Sequence, residues 1–77
     1  MNNRALAKRI GALIRQLRQE AGMSQEEFAD RCGLHRTYIG SVERGEKAIT
    51  IETAQKIVKV LGVSLSQFFQ QLEGSAK

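Results

Sequence analysis

A chain of 77 residues has room for one core, and at this size only about 60% of the unfolded surface is buried, so its own stability should be modest. Hydrophobic residues at 42% and charged residues at 26% exclude disorder as the default state. Twelve Lys and Arg against eight Asp and Glu give a net charge of +4, which favours polyanionic partners.

The basic residues are unevenly placed: Arg4, Lys8, Arg9, Arg15 and Arg18 all precede the first acid, Glu20. Residues 1–4 are expected to form a short arm. Leu6, Ile10, Leu13, Ile14 and Leu17 then recur at three- and four-residue steps, predicting a first helix from about Asn3 to Ala21 that Gly22 stops. Ser24 and Glu27 form a capping box, so a second helix should run from Gln25 to about Cys32 with Phe28, Ala29 and Cys32 inward. Gly33 interrupts the pattern and Leu34 re-enters the core. A third helix, Arg36 to Arg44, has Ile39 and Val42 as its apolar positions and ends at Gly45. Thr50 can cap a fourth helix, whose stripe is Ala54, Ile57, Val58 and Leu61, and Gly62 stops it. Ser64 with Gln67 makes another capping box, opening a fifth helix that carries Leu65, Phe68, Phe69 and Leu72 before a frayed tail at 74–77. The predicted fold is therefore all-α, with five short helices.

The single cysteine excludes an internal disulfide and fits a reducing compartment. No apolar run approaches the roughly 18 residues of a spanning helix, and the start lacks a signal-peptide core. A cytoplasmic protein without membrane contact is expected. No Ser/His/Asp grouping, phosphate-cradling glycine loop or metal-ligand spacing is present, so no enzyme, metal or cofactor is expected.

The informative stretch is Gln25 to Arg44. Two helices meeting steeply across a short turn need a small residue where they cross, Ala29, and a glycine at the turn, Gly33. Phe28, Cys32, Leu34, Ile39 and Val42 pin both helices inward. Arg36, Thr37, Tyr38, Gly40, Ser41 and Arg44 are then left exposed on the third helix. With this pattern the chain resembles the Xre, or lambda-repressor-like, helix-turn-helix family from Ile10 to Phe69. The matching pieces are Ile14-Arg15-Gln16-Leu17-Arg18, Ser24-Gln25-Glu26-Glu27-Phe28-Ala29, Gly33-Leu34, Ile39, Val42-Glu43-Arg44-Gly45 and Leu61-Gly62-Val63-Ser64. Within it, Arg36-Thr37-Tyr38-Ile39 followed by Glu43-Arg44-Gly45 looks like the controller proteins of restriction–modification operons.

The resemblance implies a compact five-helix domain whose third helix enters the major groove. Arg36, Thr37, Tyr38 and Ser41 are then the base readers, and Arg36 can bond guanine O6 and N7 bidentately. Ser24, Gln25, His35, Arg44 and Lys47 are the expected phosphate contacts, adding affinity and salt dependence rather than sequence choice. In relatives the positions of Arg18 and Glu43 form a buried ion pair, which is a structural role. His35 stands where relatives carry Ser, Thr or Asp, so the cap of the third helix should be weaker by about 1 kcal/mol. Gly40, mid-helix, implies close approach by DNA or a partner, or no selection at all. The basic first helix is read as a solvated face, with Arg4 able to reach phosphate, and Cys32 as a small core residue. Ile49, Ile51, Val60, Phe68 and Phe69 exceed what the core needs and are assigned to a homodimer seam.

The resulting expectation is a homodimeric transcriptional regulator on a pseudo-palindromic operator in double-stranded DNA, with half-sites about 34–36 Å apart and no small-molecule ligand. The alternative is an antitoxin-like or adaptor module that uses the same fold to hold a partner protein.

Overall fold

The computed structural model describes residues 3–74, which form α1 (Asn3–Glu20), α2 (Gln25–Cys32), α3 (Arg36–Glu43), α4 (Ile51–Leu61) and α5 (Leu65–Gly74). The helix starts follow from local chemistry. Ser24 Oγ accepts the Glu27 N–H at 3.1 Å, and Thr50 Oγ1 accepts the Thr53 N–H at 3.1 Å. At α5 both halves of a capping box are made: Gln67 N–H to Ser64 Oγ at 3.0 Å and Ser64 N–H to Gln67 Oε1 at 2.9 Å. The box expected at α2 is one-sided, because the Glu27 carboxylate turns to Arg31 four residues on, at 2.8 Å.

The expected N-terminal arm is corrected in part. Asn3 and Arg4 already belong to α1, and residues 1–2 lie outside the described region. Likewise Gly74 closes α5, and the remainder of the expected frayed tail, 75–77, lies outside the described residues.

The α2–α3 turn depends on Gly33, whose φ of 70° lies in the left-handed region that a side chain disfavours. That conformation lets Leu34 N–H return to Ala29 O at 2.9 Å and sets the entry angle of α3. Phe28, Ile14, Ile39, Ile57 and Val42 are the largest fully buried side chains, contributed by α1 to α4, and Phe68 and Leu72 close the core from α5. Each such side chain contributes roughly 1.5–3 kcal/mol by leaving water.

The seating of α1 on α3 is unusually close. A Cβ on Gly11 would run into Val42 O and stand 2.7 Å from Glu43 O, so the glycine lets α1 lie directly on the last turn of α3. Arg9 Nη2 also donates to Leu72 O at 3.0 Å, joining α1 to the last turn of α5.

Candidate nucleic-acid interface

The helix-turn-helix is held from behind by a buried polar knot. Arg18 Nε donates to Glu43 Oε2 at 2.7 Å and Arg18 Nη2 to Glu43 Oε1 at 3.0 Å, a bidentate pair whose residues are 8% and 7% exposed. Arg18 Nη1 donates to Met23 O at 2.9 Å, and Gln25 Nε2 donates to Glu43 Oε1 at 3.0 Å. One carboxylate on α3 thus gathers the guanidinium of α1 and the amide that opens α2. Such a pair need not stabilise the fold relative to an apolar pair, but losing one partner strands a buried charge at about 3–5 kcal/mol. Its geometric effect is to fix the angle at which α3 leaves the body.

Gly40 belongs to the same arrangement. A Cβ there would stand 3.2 Å from Arg44 Nη1, 3.6 Å from Gln25 Oε1 and 3.8 Å from Gln25 Nε2. These are the ends of two side chains, Gln25 and Arg44, which lie across the helix, so the packing within the chain does not by itself require glycine at this position.

In front of this knot stands the outer face of α3. Arg36 is exposed and held only loosely, with Nη1 3.5 Å from Glu26 Oε2 and side-chain exposures of 63% and 75%. Thr37 is exposed beside it. Tyr38 is half-buried, its ring leaning on the core, and Ser41 is half-buried with its hydroxyl donating to Thr37 O at 3.1 Å. Of the residues expected to read bases, Arg36 and Thr37 project furthest.

His35 makes the cap that its position requires. It is the N-cap of α3, and its Nδ1 accepts the Thr37 N–H at 3.1 Å, doing the work of a serine or aspartate oxygen. An accepting Nδ1 places the proton of a neutral ring on Nε2, which stays a donor on the exposed side.

The basic rim behaves less uniformly. Lys47 is exposed. Arg44 is bound by Glu46, Nε to Oε2 at 3.0 Å and Nη2 to Oε1 at 3.1 Å. The hydrogen bond from Arg44, followed by its charge and that of Lys47, holds the Glu46 carboxyl below its usual range, and the same contact raises Arg44. Sequence reasoning passed over Glu46, and nothing in its spacing marks it. It passed over Gly11 too, although a second mid-helix glycine was a usable signal of close packing.

The apolar residues assigned to a dimer seam divide. Phe68 is 2% exposed and belongs to the core: it lies four residues before buried Leu72 on the inner face of α5, edge-on to Phe69 with ring centroids 5.5 Å apart. Ile49, Val60 and Phe69 are half-buried against that core, and among the described residues Ile51 is the large apolar side chain left in solvent, at 65% exposure. Cys32 is buried, and desolvation pushes its thiol up to about 11. Among the described residues no helix is long and apolar enough to cross a membrane.

The Helix-turn-helix family model HTH_3 matches residues 14–68, the span from α1 to α5 that contains the knot and the reading face. Control protein C.BamHI of Bacillus amyloliquefaciens is 46% identical over 55 residues, covering 70% of this chain and 68% of that protein. Control protein C.MunI of Mycoplasma sp is 38% identical over 66 residues, covering 84% and 89%. Among solved structures, the tetramer of the restriction–modification controller protein C.Esp1396I in complex with its natural 35 base-pair operator superposes with a TM-score of 0.83 at 38% identity, covering 90% of this chain and 91% of that one. The chain belongs to the Xre-like helix-turn-helix family of DNA-binding transcription regulators.

Proposed function

We propose that the protein is a homodimeric controller of a restriction–modification operon, reading a pseudo-palindromic operator with α3 in the major groove. The observation that carries this is the exposed polar N-terminal half of α3, mounted on a helix whose inner face is locked by Arg18, Glu43 and Gln25. The operator-bound relative of the same fold supports it. Arg36 and Thr37 are the principal readers, with Tyr38 and Ser41 behind them. Ser24, Gln25, His35, Arg44 and Lys47 take phosphates. Exposed Ile51 heads the apolar seam between subunits, and Ile49, Val60 and Phe69, half-buried against the core, are its other members. In this reading the protein works by binding alone, in the cytoplasm, and the concentration of dimer sets occupancy.

Selection of bound sequences from random duplexes at about 0.15 M salt, with the mass of the complex, tests the proposal. An enriched palindrome bound by paired chains is expected. Arg36→Ala should relax one base pair, at about 1–3 kcal/mol, whereas Lys47→Ala should weaken all sequences alike. Weak, salt-sensitive binding without enrichment would reassign the chain to a protein-interaction module.

A further inference from the structure

The first helix carries cations that the reading face does not use, and its close packing brings some of them to the end of α3. A Cβ on Gly45 would lie 2.5 Å from Lys8 Cγ and 2.6 Å from Lys8 Cα, so the turn after α3 rests directly on α1. The φ of +76° at Gly45 makes glycine doubly required there. Beside this junction a cleft of about 660 Å³ opens between Arg4 and Lys8 on one side and Arg44 and Glu46 on the other, floored by Ala7 and Gly45.

Lys8 and Arg44 line this cleft together with Glu46. Glu46 occupies the fork of Arg44 with both its oxygens, at 3.0 and 3.1 Å, the geometry in which a guanidinium also grips a phosphate. Arg44, the C-cap of α3, ties the cleft to the C-terminal end of that helix, its Nη1 lying 3.2 Å from the Cβ position of Gly40. Its small floor residues leave room for a group larger than a carboxylate.

We propose that this cleft seats a backbone phosphate of the DNA flanking the bases read by α3, with Lys8 and Arg44 gripping it and Glu46 as the resident counter-charge that the phosphate displaces. The inference rests on the DNA-binding reading and extends the protein's footprint from α2 and α3 to α1. Lys8 is thereby a backbone-gripping residue rather than part of a solvated face, and Glu46 a brake on indiscriminate affinity.

The test is Lys8→Met, which keeps the aliphatic stem on Gly45 while removing the charge. Wild type and variant are titrated with the selected operator and with a random duplex across about 0.05–0.3 M salt. Loss of one phosphate contact should lower the slope of log K against log salt by about 0.9, which is about a fivefold loss near 0.15 M on both duplexes. Lys8→Arg should restore it. Glu46→Gln, at an exposed site remote from the core, should raise affinity for both duplexes, giving a second readout independent of the α1 packing.

A Lys8→Met protein with wild-type slope and affinity, while the wild type still selects an operator, would overturn the cleft and leave the operator reading standing. Binding without enrichment that still loses slope in Lys8→Met would support the cleft and remove the operator reading. No duplex binding by the wild type at all would overturn both.

Discussion

Gly11→Ala should unfold this protein more readily even though alanine is the better helix former by about 1 kcal/mol. The added Cβ would stand 2.7 Å from Glu43 O and closer still to Val42 O, against an ordinary carbon–oxygen separation of about 3.3 Å or more. Both obstacles are backbone atoms of α3, so no side chain can swing aside. The helices must part by roughly 1 Å, a gap at which dispersion contacts lose up to about half their depth. Ile14, Ile39 and Val42, each at most 1% exposed, line that seam, and the 2.7 Å bond from Arg18 to Glu43 spans it. Overpacking commonly costs about 1–3 kcal/mol, and a rigid obstacle belongs at the upper end. With part of the Arg18–Glu43 interaction lost and the helix propensity gained, the net destabilisation should be about 3 kcal/mol. For a chain of this size that lowers Tm by roughly 12–24 °C. Melting followed by circular dichroism measures it, at one fixed protein concentration because assembly shifts Tm. A variant melting within about 4 °C of wild type would refute the direct seating of α1 on α3.

The other mid-helix glycine should behave in the opposite sense. Gly40→Ala meets only the ends of Arg44 and Gln25, nearest at 3.2 Å, so those side chains can yield and the helix gains about 0.4–1 kcal/mol, read as a higher Tm. A loss of more than about 1 kcal/mol would show that the Gln25 seat is rigid. Glu43→Gln keeps the shape but leaves Arg18 buried without its counter-charge, at about 3 kcal/mol in urea unfolding. Replacing both, as Arg18→Met with Glu43→Leu, should recover most of that stability but not operator affinity, since Gln25 loses the carboxylate it donates to. Finally, the Cys32 thiol is raised from 9.0 to about 11 by burial. A raised folded pKa means full stability below the unfolded value, lost as pH climbs toward the folded one. Stability relative to Cys32→Ala should therefore be flat up to about pH 8 and fall by about 2–3 kcal/mol between pH 9 and 11, and a flat difference would contradict the desolvation.

Much of the fold is legible along the chain because its causes are local. The stripe Leu6, Ile10, Leu13, Ile14 and Leu17 marks a helix by spacing, Ser24, Thr50 and Ser64 mark helix starts by their side-chain acceptors, and Gly33 marks the turn by its φ. The exposure of Arg36, Thr37 and Arg44 follows by subtraction from Ile39 and Val42, but of the others expected outside, Gly40 is buried and Tyr38 and Ser41 are half-buried. Phe68 shows the limit of such bookkeeping. Counting apolar residues says that the core has a surplus but not which member is outside, and the packing of α5 puts Phe68 in and leaves Ile51 out. His35 shows another limit, since an imidazole caps a helix only when its rotamer brings Nδ1 over the first turn.

By itself, then, the sequence determined the number, type and order of the helices and which face of α3 meets solvent, because hydrophobic period, capping and glycine stops act within a few residues. Only the tertiary structure decided what those helices do to one another. Glu43 adds Gln25 to the Arg18 pairing that the family resemblance implied, Gly11 and Gly45 let α1 settle on the end of α3, and Glu46 closes on Arg44 beside Lys8. These are contacts between residues far apart in the chain, or dependent on how a turn is folded, and no local propensity encodes them. The angle and charge of the reading head come from that packing, and with them its fit to DNA.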